Sequence, residues 1–122
     1  MTPAELKCAL GFLGVSQRWF GARLGTHQRT VVRWCDGESL MPDTARREVE
    51  DIMMETKIAY AALKDSVRLD DGITTLRTYR TDHDFWTARA EYARFPASWH
   101  RQMVARLAAE LSPAPTRIEY YT

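Results

Sequence analysis

The chain of 122 residues has only two cysteines, Cys8 and Cys35, with no CxxC pair and no neighbouring pair of histidines. That argues against a disulfide framework and against a zinc finger or ribbon. No apolar run approaches the ~18 residues that a membrane-spanning helix needs, so no membrane partner is expected. No basic-then-apolar leader is present either, and the expected compartment is the cytoplasm. There are no paired carboxylates in a convincing cleft pattern, no nucleophile elbow and no glycine-rich phosphate loop, so no enzyme and no cofactor are expected. Excess charge is also lacking: a net +1 gives no global pull towards a polyanion. Internal repeats and low-complexity tracts are absent.

The charge that is present is unevenly spread. Residues 1–41 carry five basic and three acidic side chains, residues 42–71 five and eight, and residues 72–122 seven and five. A locally basic N-terminal segment in a neutral protein is compatible with DNA binding. Length and composition suit one domain, or one small domain carrying an extension.

The segment TPAELKCALGFLG predicts a helix with Thr2 as N-cap, Pro3 in its first position and Glu5 at N3. Its expected core face is Leu6, Ala9 and Leu13. Ser16 caps a second helix, SQRWFGARLG, which Gly25 ends. A third runs from Thr26 or His27 through Trp34 to Gly37. After the loop GESLMP, residues 43–69 read as one long helix with Ala45, Val49, Ile52, Met53, Ala59, Ala62 and Leu63 at helical spacing. Met53 and Met54 are read as core packing, and both cysteines as core or near-core thiols.

Asp70, Asp71 and Gly72 mark the best break, dividing residues 1–69 from an extension at 70–122. Beyond it ITTLRTYR reads as a short strand. TDHDFWTARAEYARF reads as a helix capped by Thr81 with Asp84 at N3; that helix-start polarity, rather than a metal site, accounts for His83 between two aspartates. After Pro96 comes an amphipathic helix striped with Trp99, Met103, Leu107 and Leu111. TRIEYY is expected to return as a strand beside ITTLRTYR. The fold expected is mainly α, with a two-stranded β ribbon in the extension.

Residues 17–36 have the helix, glycine turn and helix spacing of a helix-turn-helix. Phe20, Leu24, Val31 and Trp34 would form its interior, with Gly21 allowing close approach and Gly25 the left-handed turn. The outward set is then His27, Gln28, Arg29, Val32, Arg33 and Asp36. That face suits a major groove: Arg29 and Arg33 can fork onto guanine O6/N7, Gln28 can pair with adenine, and Val32 can meet a thymine methyl. Gln17, at the start of the preceding helix, could hold a phosphate. His27 reads as a capping or phosphate-near residue and Asp36 as a helix end.

The pieces TPAELK…LG-SQ, F-ARLG, RTVVRW--G and MPD…R, in this order across residues 2 to about 55, resemble the Xre/Cro (lambda-repressor-like) family. The resemblance implies an N-terminal helix-turn-helix bundle. It matches Gln17, His27, Gln28, Arg29 and Arg33 to recurrent DNA-contacting positions. Leu10 and Cys35 stand where many members carry an arginine–glutamate pair, and loss of both partners together is tolerable where loss of one is costly. Gly21 stands where alanine is usual. In that layout Leu10, Phe12 and Trp19 would face outward and need cover.

The segment GITTLRTYRTDHDFW…WHRQMVARLAAEL looks like the extension of a subset that includes phage-borne autoregulators found beside anti-CRISPR genes. There the extension supports homodimerisation and the dimer binds an inverted repeat. The expected dimer or interdomain interface is Phe12, Trp19, Phe85, Trp86, Trp99, Met103 and Leu107. The expectation is therefore a dimeric, sequence-specific regulator of double-stranded DNA, most simply a repressor. Its rival is an antitoxin-like module that presents Phe85, Trp86 and Trp99 to a protein partner.

Overall fold

The computed structural model describes residues 1–67 and 69–122. Arg68, near the end of the expected long helix, lies outside the described residues. Contacts gather into two compact units, Met1–Ile58 and Ala59–Thr122. The division falls inside the long fourth helix, whose last turns belong with the second unit.

The first unit opens with α1 (Pro3–Leu13), where the Thr2 hydroxyl accepts from the Glu5 N–H at 3.1 Å. Gly14, at φ 70°, ends it. Leu6, Leu10 and Leu13 are buried along one face and Ala9 is only half-buried. Leu10 was expected outside. It lies inside because i, i+4 and i+7 share a helix face, and that series from Leu6 runs through Leu10. Then come α2 (Gln17–Arg23), α3 (Gln28–Asp36) and α4 (Asp43–Asp65). On α4 the buried stripe is Ala45, Val49, Ile52, Thr56 and Ala59. Met53 and Met54, expected in the core, are 38% and 59% exposed. Their place on the stripe is taken by Thr56, whose hydroxyl donates to the Ile52 carbonyl at 2.6 Å, so the buried oxygen is satisfied. Cys35 is buried as expected, but Cys8 is exposed.

The second unit holds a small sheet in the order β1 (Leu69–Asp70), β2 (Ile73–Thr78), β3 (Thr116–Tyr120). Strands β1 and β2 are antiparallel across a turn in which Asp71 and Gly72 have φ 49° and 78°. Strands β2 and β3 run parallel, with Leu76 opposite Ile118. The strand pair expected from the sequence is thus present. A parallel pair needs a long crossover, which here contains α5 (Asp82–Ala88), a 3₁₀ turn (Ala90–Tyr92) and α6 (Ala97–Leu111). Thr81 caps α5, its hydroxyl accepting from the Asp84 N–H at 3.1 Å. Pro96 offers no side-chain cap to α6, and Asp82 Oδ1 supplies one instead, accepting from the Ala97 N–H at 2.7 Å.

Aromatic packing fills this unit. Trp99 stacks on Phe95 with centroids 4.0 Å apart, and Phe85 and Tyr92 close around it. Leu76 packs with Val104 and Leu107. Phe85, Trp99, Met103 and Leu107 are therefore interior residues rather than an interface, each 3% exposed or less. The stripe at helical spacing faces the sheet and the aromatic cluster of its own unit. Of the remaining interface expectations, Phe12 and Trp86 are 41% and 40% exposed. The Trp86 indole donates to the Phe95 carbonyl at 2.6 Å, and Trp19 is half-buried with the Arg23 guanidinium 5.3 Å over its ring. Among the described residues no helix is long and apolar enough to cross a membrane.

Candidate nucleic-acid interface

The candidate site is built by α2, α3 and the turn between them. Ser16 starts α2, its hydroxyl accepting from the Trp19 N–H at 2.9 Å. Three devices then bring α3 against α2. Gly21 is buried, and a Cβ there would lie 3.0 Å from the Thr26 carbonyl oxygen and 3.3 Å from Val31 Cγ2. Gly25 takes φ 70°, a left-handed conformation that favours glycine. The Thr26 N–H donates to the Gly21 carbonyl at 2.8 Å. His27 is the N-cap of α3, with Nδ1 accepting from the Arg29 N–H at 3.2 Å.

Residue spacing sorts the faces of α3. Val31, Trp34 and Cys35, at i, i+3 and i+4, are buried. Gln28, Arg29 and Arg33 are exposed, Val32 is half-buried beside them, and Asp36 is exposed at the C-terminal end. Gly37, at φ 79°, closes the helix. Arg29 and Arg33 are one turn apart on the same exposed side. Neither has an acidic partner among the described residues.

Two cations on neighbouring helices are paired. Arg23 is tied to Glu48. Arg46 pairs with Glu50 at 2.7 Å and approaches Asp43 at 3.7 Å. Among the described residues, positive charge without an acidic partner lies on the outer side of α3 at Arg29 and Arg33. Chemically the row offers two planar forks, one amide and one apolar patch on a rigid helix.

Gln17 is half-buried in the first turn of α2, not fully outward as a phosphate contact would be drawn from sequence. Arg18, next to it, is exposed and has no acidic partner among the described residues. Arg18 belongs to the basic N-terminal segment and lies beside Gln17 in the sequence. Neither a family model nor a curated protein matches the chain.

Proposed function

We propose that the protein is a sequence-specific, double-stranded DNA-binding transcription regulator of the Xre/Cro helix-turn-helix type. It acts as a dimeric repressor of its own promoter, with α3 entering the major groove. The observation that carries this reading is the row of Gln28, Arg29 and Arg33. The row is exposed along a helix whose opposite face is buried, and its two arginines lack acidic partners among the described residues.

Arg29 and Arg33 read guanines, Gln28 reads an adenine and Val32 meets a thymine methyl. His27 holds the start of the helix, while Gln17 and Arg18 contact phosphate, which positions without specifying. A single short helix spans too few base pairs for useful specificity. Two helices about 34 Å apart would read both halves of an inverted repeat on one side of the duplex.

The rival reading, an antitoxin-like surface, needs Phe85 and Trp99 outside. Both are fully buried, so of its three aromatics only Trp86 is exposed.

The test is binding of Arg29→Ala and Arg33→Ala to an operator duplex and to a scrambled duplex at one fixed salt concentration. Each substitution is expected to cost roughly 1–3 kcal/mol on the operator and far less on the scrambled duplex. Equal affinity of wild type and both variants for the operator would contradict the groove assignment.

A further inference from the structure

One edge of the small sheet is open. Among the described residues β3 pairs only with β2, and it carries Ile118 and Tyr120 at 49% and 46% exposure. The ladder between β2 and β3 fixes which backbone groups face outward. Thr74 N–H donates to the Pro115 carbonyl at 3.0 Å, and Tyr121 N–H donates to the Thr78 carbonyl at 2.9 Å. Residues 115 and 121 therefore turn their backbone groups towards β2. Because direction alternates along a strand, Thr116, Ile118 and Tyr120 turn theirs towards the open edge.

The side chains of this strand are self-complementary. In TRIEY, Arg117 and Glu119 flank Ile118 symmetrically. We infer that the open edge of β3 docks the same edge of a second copy of this chain, antiparallel, with the two-fold axis through the Ile118 pair. In that register Ile118 faces Ile118 of the other copy as a hydrogen-bonded pair, and Thr116 faces Tyr120 likewise. Arg117 then lies directly opposite Glu119 of the other copy, twice, at the closer non-hydrogen-bonded positions.

A register displaced by one residue on either strand would lose this double match. The match also continues a row already present, since Arg77 lies across from Glu119 at 4.0 Å and Arg117 beside it at 3.6 Å. On the other side of the sheet, Ile118 and Tyr120 share a side with Leu76 and Thr78, their register partners. There they border a hollow of about 310 Å³ with Thr78 and Arg101. A second β3 would extend the sheet over that side and pair the outward backbone groups at Thr116, Ile118 and Tyr120. The result is one continuous sheet running through both copies.

This deepens the dimer of the proposed function, but its test contains no DNA, so either reading can fail without the other. The mass of the full chain is measured by sedimentation equilibrium over a range of concentrations. Wild type is expected to dimerise. Arg117→Glu and Glu119→Arg each place like charges opposite one another twice, and each is expected to weaken self-association by roughly tenfold or more. An equimolar mixture of the two variants restores opposite charges at both positions and is expected to form a 1:1 heterodimer. On the wild type, amide exchange at Ile118 and Tyr120 is expected to slow as concentration rises, which requires no substitution. A wild-type monomer would overturn the inference, leaving Arg117 and Glu119 as charges that guard an edge. So would a dimer unchanged in both variants, a mixture that stays monomeric, or exchange at the two amides that ignores concentration.

Discussion

A Cβ placed on Gly21 would lie 3.3 Å from Val31 Cγ2, so the closeness of α2 to α3 depends on glycine at this position. With alanine at this position two effects oppose each other. Alanine gains up to about 1 kcal/mol of helix propensity, but its methyl group comes 3.0 Å from the Thr26 carbonyl oxygen, a backbone atom in the turn. Gly21→Ala is expected to be near neutral in urea unfolding, within about 0.5 kcal/mol, because the turn has to shift by a few tenths of an ångström. Gly21→Val adds bulk that no such shift accommodates and is expected to cost about 2–3 kcal/mol.

His27 caps α3 through Nδ1. His27→Ala leaves the Arg29 N–H without that acceptor and is expected to lower stability by about 0.5–1 kcal/mol. His27→Ser replaces one acceptor by another. It is expected to retain both the stability and the base preference of the wild type. A Ser variant that is stable but has lost its base preference would show that the imidazole itself reads the DNA.

Trp99 separates core from interface. Its ring is stacked on Phe95 and fully buried within the second unit. Trp99→Ala is expected to destabilise the protein by about 3–5 kcal/mol, read by chemical unfolding at a single protein concentration. A variant of native stability that has lost only self-association would restore Trp99 to the interface expected from its spacing.

His100 gives the fold an acid limit. Its ring is buried with Nδ1 2.7 Å from Thr78 Oγ1. Burial, with the positive charges of Arg89 and Arg101 nearby, pushes its pKa down from 6.5 to about 4. The unfolded chain therefore takes up the proton first as pH falls. Stability is unaffected by this group above its unfolded pKa of 6.5 and is lost as pH falls from there towards about 4. The loss approaches about 3 kcal/mol for that shift. Unfolding measured at pH 7 and at pH 4.5 is expected to show a drop in wild type that shrinks in His100→Asn, which cannot titrate.

Local signals carried much of this structure. Thr2, Ser16 and Thr81 each cap the helix assigned to them, because a hydroxyl three residues before an N–H needs no tertiary context. The TRIEYY strand beside ITTLRTYR was legible from β-branched and aromatic residues. What failed depended on other parts of the chain. Apolar spacing shows that Trp99, Met103 and Leu107 share a face, but not whether a partner or their own unit covers it. Thr56 is buried on the stripe where Met53 was expected, because a hydroxyl bonded to the turn before it can be buried at little cost. Asp82 as the cap of α6 was hidden because donor and acceptor lie fifteen residues apart. At the candidate site, the outward row on α3 follows from helical spacing. The absence of acidic partners for Arg29 and Arg33 among the described residues needed coordinates.

The central claim is that α3 presents Gln28, Arg29 and Arg33 to base edges, and the direct measurement is selection of bound duplexes from a random pool. Wild type is expected to enrich an inverted repeat with half-site centres about one helical turn apart. Under the same conditions the Arg29→Ala and Arg33→Ala proteins are expected to lose preference at defined positions within each half. A pool that emerges random, or the same enriched sequence from all three proteins, would contradict it.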